Sequence, residues 1–395
     1  MSIPAGDPAN VLTAAFQSEI LQPIQLWDQT LRDGEQTPNI AFSQQEKLQL
    51  ARTLDQLGVF GMNVGYPMVS AYEAETVREI VKLKLRAKLA VTSRLMRDDV
   101  DAAASTGVDW VFCFTSLSDW HIRDKLKTTE AELLAKVKDV VPYGIERKLQ
   151  VSFAVEDATR TPLPRLLRFI QTAEDAGAHC IRICDTVGVL VPTATRRLIE
   201  LLRPLVKGTL CVHFHNDLGM ATANSIMALE AGADAVDATL AGLGERAGNS
   251  PLEELAVILK VKYGRDIGLR LEQLVEAGAQ VARATGILPP SNKPIVGKSV
   301  FSHESGIHVA GLLANPITYE PFPPSLIGRE HTVIFGKHSG LAGVRHLLKR
   351  AGVELTPEAE KSLLEKIKTA GQGKEDVPDQ RVLAWAQELR TPSNR

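Results

Sequence analysis

Covalent cross-links are the first thing this chain lacks. Only four cysteines stand in 395 residues, and Cys113, Cys180, Cys184 and Cys211 form no Cys-x-x-Cys pair. Each sits in an apolar, strand-like run, as in Phe112-Cys113-Phe114, the setting of a buried, reduced packing residue. Disulfide frameworks and zinc ribbons are therefore set aside, and a cytoplasmic location is expected. An excess of charge is missing too, because 45 basic side chains face 47 acidic ones. That balance offers no field to nucleic acid or an anionic membrane and favours small-molecule partners. No apolar run reaches the roughly 20 residues that a spanning helix needs. Residues 1–19 show no basic segment followed by an apolar core, so neither secretion nor membrane insertion is expected. A glycine-rich phosphate loop after an early strand is also absent, which argues against a doubly wound dinucleotide-binding sheet.

What the chain does have is apolar mass and a repeating alternation. Hydrophobic residues make up 44% of it, enough for one large domain with appendages. Short apolar runs at 25–28, 62–66, 88–92, 110–115, 150–155, 180–185, 210–215 and 235–240 alternate with longer amphipathic ones. The punctuation recurs as Leu57-Gly58-Val59, Thr106-Gly107-Val108, Ala176-Gly177-Ala178 and Ala231-Gly232-Ala233, a glycine closing a helix just before a buried strand. Strands that are apolar throughout read as parallel and covered on both faces. Such a series predicts an α/β fold, a TIM (β/α)8 barrel over residues 24–285. Pro289, Pro290 and Pro294 then open an irregular stretch, 286–340, read as a linker and lid. A small, mostly helical region follows over 341–395, interrupted by Pro378.

Barrel active sites gather at the carboxyl ends of the strands, so polar residues there carry the functional expectation. The first strand ends in Asp28-Gln29-Thr30-Leu31-Arg32-Asp33-Gly34-Glu35-Gln36. The seventh ends in Val212-His213-Phe214-His215-Asn216-Asp217. Residues two apart on a strand face the same side, so both imidazoles can enter the barrel mouth while Phe214 packs outward. Two imidazoles on rigid backbone suit a divalent metal, with Asp33 supplying oxygen from the opposite wall. The eighth strand leads into the glycine loop 242–249, where Asn249 can offer a neutral oxygen. Beyond the barrel, the stretches 302–308 and 336–340 carry further histidines, whose plain alternative is an exposed structural role.

Taken together and in this order, TLRDGEQ at 30–36, HFHNDLGMATAN at 213–224, GLGERAGN at 242–249 and HESGIH at 303–308 form a specific set. They resemble the Claisen-condensing branch of the DRE-TIM metallolyase superfamily, which includes 2-isopropylmalate, citramalate and homocitrate synthases. The resemblance runs from Leu26 to Gly340 and is strongest to the nitrogenase-associated homocitrate synthases. It implies metal ligands at Asp33, His213, His215 and Asn249, holding Mn²⁺, Mg²⁺ or Zn²⁺. It implies a catalytic set of Arg32, Glu156, His308 and Tyr319, and substrate binding by Arg32, Gln36, Arg94 and Thr186. His308 and Tyr319 match residues that reach the partner subunit's site, so a domain-swapped homodimer is implied. The implied reaction is condensation of acetyl-CoA with a 2-oxo acid. 2-Oxoglutarate leads; pyruvate, 2-oxoisovalerate and a phosphonate analogue stay open, because three positions depart from the pattern. Asn63 stands where relatives carry glutamate, Ala310 where they carry aspartate, and Ser152 where lysine-pathway homocitrate synthases carry arginine. Two other readings are weighed against this one. An acyl-CoA lyase would need a cysteine in the 242–249 loop, which has none. A non-catalytic binding protein should have lost a ligand or the base, and none is lost.

Overall fold

The structure, a computed structural model, describes residues 19–390. The chain divides into two compact units, one reaching Pro289 and the other beginning at Pro290. In the first, eight parallel strands close into a barrel in sequence order, and the last pairs back onto the first. They are β1 (Gln25–Asp28), β2 (Gly61–Asn63), β3 (Lys88–Arg94), β4 (Trp110–Ser116), β5 (Gln150–Glu156), β6 (Cys180–Asp185), β7 (Thr209–Phe214) and β8 (Ala235–Ala238). A helix follows each strand, so the expected (β/α)8 barrel is what the chain forms.

The first of these helices, Gln44–Leu57, shows how local sequence sets the unit. Ser43 and Glu46 form a reciprocal capping box at its start, and Leu50, Ala51, Leu54 and Leu57 bury one face. Gly58 ends it at φ 96, where a Cβ would lie 2.4 Å from the Gly268 carbonyl oxygen. Side chains of alternate strand residues fill the barrel floor: Trp27, Ala90, Phe112, Cys180, Cys211 and Ala235. Trp27 meets Phe112 edge to face at 5.1 Å.

Several strand ends differ from expectation, and the differences matter for the mouth. β2 stops at Asn63, because Gly65 takes φ 150 and turns the chain away. β3, β4 and β5 instead continue to Arg94, Ser116 and Glu156, so polar residues read as loop stay in the ladder. Three cysteines are buried as expected, but Cys184 is half-buried and lines the cleft described below. It occupies an inward position one step above the floor.

In the second unit, the stretch expected to be irregular holds the helix Gly306–Ala314 and a parallel pair, Ser302–His303 with Thr332–Val333. The helix was illegible because Gly-Ile-His-Val-Ala-Gly-Leu-Leu-Ala has two glycines and no amphipathic period. Leu341–Ala351, Pro357–Gln372 and Asp379–Glu388 pack around Val344, Leu363, Ile367 and Val382. No helix among the described residues is long and apolar enough to cross a membrane.

Lys47 shows how the barrel loops are fixed. Its side chain is 1% exposed, and its ammonium lies 2.7 Å from both Glu35, after β1, and Glu73, after β2. Removing one member of a buried ion pair leaves uncompensated charge, at about 3–5 kcal/mol. Lys47→Ala is expected to lower stability by about that amount in urea unfolding, and an unchanged midpoint would show the two loops to be held by other contacts.

Candidate metal centre and active site

Asp33, His213 and His215 converge at the mouth of the barrel, all three buried, with their ligand atoms within 4.8 Å of one another. His213 Nε2 lies 3.3 Å from His215 Nε2 and 3.2 Å from Asp33 Oδ2. Asp33 comes not from the opposite wall, as expected, but from nearby. β1 is hydrogen-bonded to β8, and β8 to β7, so the loop after β1 stands two strands from the imidazoles. Closure of the barrel makes the first and last strands neighbours, which linear order hides. His215 lies just past the end of β7, where a bridge to Asn249 holds its backbone.

The electrostatics suit a cation. Burial alone would raise the Asp33 carboxyl, but Arg32 beside it and the two imidazoles drive it well below the usual carboxylate range. Burial and the neighbouring His213 push His215 down to about 4, which favours a neutral ring at physiological pH. His213 Nδ1 is 3.0 Å from Asp237 Oδ2, which turns Nε2 toward Asp33. Asn249 Oδ1 is buried with no hydrogen-bond partner, while its Nδ2 donates to the Leu243 carbonyl at 3.0 Å. A Cβ at Gly244 would fall 2.1 Å from Asn249 Nδ2 and 3.0 Å from Asp33 Oδ1, so only glycine lets this loop close over the site. An orphaned carbonyl oxygen, an ionised carboxylate and two oriented imidazoles fit a divalent metal.

A cleft of about 340 Å³ opens beside this centre. Arg32, Asp33, Gln36, Glu156, Thr186, His213 and His215 all line it. Arg32 donates to Asp33 at 3.2 Å and to Gln29 at 3.1 Å. The Thr186 hydroxyl accepts from the Asp157 N–H at 2.8 Å, which leaves its own hydrogen to donate into the cleft. Arg94 stands apart at the end of β3, its guanidinium committed to Asp99 at 3.0 and 2.8 Å. His308 and Tyr319 belong to the second unit, where their ring centroids lie 4.5 Å apart with the planes tilted by 42°.

Three lining residues, and a carboxylate behind one of them, were given no role by the sequence. Lys125 clamps both Glu156 oxygens at 2.6 and 2.8 Å. Arg246 reaches Asp217 and the Thr186 carbonyl, tying three loops together. Arg182 lies buried in the cleft floor, with Asp237 behind it. The last two had a signal: a charge inside the apolar runs Cys180-Ile181-Arg182-Ile183 and Ala235-Val236-Asp237-Ala238.

A closed parallel barrel with two histidines and a carboxylate at its C-terminal mouth defines a TIM barrel of the metalloenzyme type. More narrowly, the chain belongs to the HMGL-like family, whose model matches residues 23–281. A second model, the homocitrate synthase post-HMGL domain, matches residues 295–375. The chain is 41% identical to homocitrate synthase AksA of Methanopyrus kandleri, across 94% of each protein. It is 39% identical to the 2-isopropylmalate synthase of Methanocaldococcus jannaschii, covering 93% of this chain and 71% of that one. Among solved structures it resembles the hydroxymethylglutaryl-CoA lyase of Pseudomonas aeruginosa, with a TM-score of 0.61 at 22% identity, covering 69% of this chain and 96% of that one. The last likeness is one of fold.

The donor set predicts a metal stoichiometry. The protein is expected to retain one divalent ion per chain after dialysis, His213→Ala to lose it, and Asp237→Asn to bind it about 10–100-fold more weakly. Elemental analysis of variants that keep their circular dichroism checks this, and wild-type metal content in His213→Ala would remove His213 from the ligands.

Proposed function

We propose that this protein is an acyltransferase that condenses acetyl-CoA with a 2-oxo acid, 2-oxoglutarate first among them, to give homocitrate and CoA. The observation that carries the reading is the convergence of Arg32, Asp33, His213 and His215 on one cleft. Kinship with homocitrate and 2-isopropylmalate synthases supports it.

Asp33, His213, His215 and Asn249 would hold the Mn²⁺, Mg²⁺ or Zn²⁺ ion. When bound, such an ion polarises the ketone of the oxo acid as a Lewis acid. The chain's own residues do the rest. Thr186 donates its hydroxyl hydrogen to the oxo-acid carboxylate. Gln36 helps to hold the substrate, a role that Arg94, outside the cleft and bound to Asp99, does not share, and Glu156 stands at the cleft wall, restrained by Lys125. Arg32 presents fixed positive charge where negative charge grows on the ketone oxygen, the kind of contribution that dominates many catalytic sites. His308, beside Tyr319, takes a proton from the acetyl methyl group. The carbon so exposed attacks the ketone carbon, the new C–C bond forms, and hydrolysis of the thioester releases CoA.

His308 and Tyr319 are assigned to the site of a second subunit, in a swapped homodimer. Their exposure in their own unit agrees with that, Tyr319 being 41% exposed.

Two tests address the reading. Arg32→Lys keeps the charge but loses the planar fork, and kcat is expected to fall about a hundredfold, as for a lost oxyanion donor. Unchanged kcat, read as free thiol release, would make Arg32 structural. The second test mixes inactive His308→Ala with inactive Arg32→Ala chains. If half the dimers become mixed, each carries one intact site of two, and about a quarter of wild-type activity should return. No recovery after verified subunit exchange would place the base in its own chain's site.

A further inference from the structure

One charged group in the cleft has no part in the chemistry above. Arg182 rises from the middle of β6 into the barrel, 3% exposed, and lines the cleft floor. Its guanidinium packs over the Phe112 ring, 3.7 Å from the centroid. Its Nε lies 2.8 Å from Asp237 Oδ2, its Nη2 donates to Asp237 Oδ1 at 3.2 Å, and its Nη1 donates to Ser152 Oγ at 2.7 Å. A guanidinium has five N–H donors, and only one on Nη1 and one on Nη2 are hydrogen-bonded; Nε, though close to Asp237, has no aligned acceptor, so three remain without one in a group buried under the cleft. Buried donors are rarely left unmatched, and spare N–H groups on a planar cation suit a carboxylate. Ser152 is fully buried beside it, and its small side chain leaves the guanidinium its room. Arg182 is also one carboxylate and one imidazole ring away from the metal triad, through Asp237 and His213.

We infer that Arg182 is the specificity determinant of the oxo-acid pocket, receiving a second carboxylate at the far end of the substrate and so selecting dicarboxylic 2-oxo acids over branched or short aliphatic ones. The inference rests on the condensation reading and deepens it. An aliphatic tail on this floor would seal the spare donors away from water with nothing to accept them. Sites built around a hydrogen-bonding partner reject analogues that lack it far more strongly than apolar pockets reject a missing methylene. Thr92, Cys184 and Phe114 at the sides of the cleft are compatible with a short methylene chain above the guanidinium.

The test compares kcat/KM across a panel of 2-oxo acids with acetyl-CoA, measured as thiol release by the metal-loaded full chain. Wild type is expected to use 2-oxoglutarate at least about a hundredfold better than 2-oxoisovalerate, and better by a similar factor than the 5-methyl ester of 2-oxoglutarate, which keeps the length without the charge. Arg182→Met should lower the ratio of kcat/KM for 2-oxoglutarate over 2-oxoisovalerate about a hundredfold or more, beyond whatever common loss the disturbed Asp237 and His213 impose on both substrates. A parallel loss on every substrate would make Arg182 a structural residue and overturn the inference. Wild-type preference for 2-oxoisovalerate, or equal use of the ester, would overturn it while leaving condensation intact. Silence of the wild type toward every oxo acid would remove the condensation reading itself, and this one with it. Should Arg182→Met fail to fold, the ester comparison on wild type decides alone.

Discussion

A single buried carboxylate holds together what the barrel mouth and floor do. Asp237 is 1% exposed, within 3.0 Å of a histidine on one side and 2.8 Å of a guanidinium on the other. Neither neighbour is easily kept in that position without it. A lone guanidinium among Trp27 and Phe112 would carry several kcal/mol of desolvation with no return. A histidine free to rotate would not keep Nε2 turned toward Asp33. Because both are bonded to one carboxylate, the floor and the ligand set are geometrically coupled. Replacing such a cluster with apolar side chains is often neutral or stabilising, so its presence in a core is better explained by chemistry than by stability.

The rest of the mouth follows from rigid delivery. β4 and β5 stay in register as far as Ser116 and Glu156, so the glutamate leaves a strand, not a loop. His213 is the penultimate residue of β7, and the bridge to Asn249 extends that rigidity to His215. The loops beyond are tied to one another, by Lys47 between the loops after β1 and β2 and by Arg246 among those after β6, β7 and β8. A site set on strand ends and cross-tied loops needs little rearrangement before substrate arrives.

How much of this the sequence discloses depends on the range over which each feature is encoded. Strand alternation is local, so eight runs and their glycine stops were readable, as was the shared face of His213 and His215. Asp33 was readable as a ligand but misplaced across the barrel, because adjacency of first and last strands is a property of closure. The pairing of Arg182 with Asp237 joins residues 55 apart on strands that are not neighbours, and no local pattern announces it. Their only trace was a charge in each of two apolar runs. The opposite failure occurred at Gly306–Ala314, a helix whose composition hides its period. Roles for His308 and Tyr319 come from resemblance alone, because two isolated ring residues carry no pattern of their own.

The barrel cleft is furnished mainly for one half of the proposed reaction. Its two imidazoles face the metal position, and Asp33 is shared between them and Arg32. Glu156 is clamped by Lys125, Tyr66 donates to Asp99, and the nearby His121 is bonded to Ser116 at 2.5 Å. Glu245, on the glycine loop, is exposed. Among the described lining residues, then, the groups that bind and polarise an oxo acid are plentiful, while the candidate proton acceptors other than Glu245 are occupied. A carbon acid needs an acceptor held over it and free of stronger partners. His308, in the second unit, makes no side-chain hydrogen bond among the described residues and meets the Tyr319 ring at 4.5 Å, and that freedom is what favours it as the proposed base.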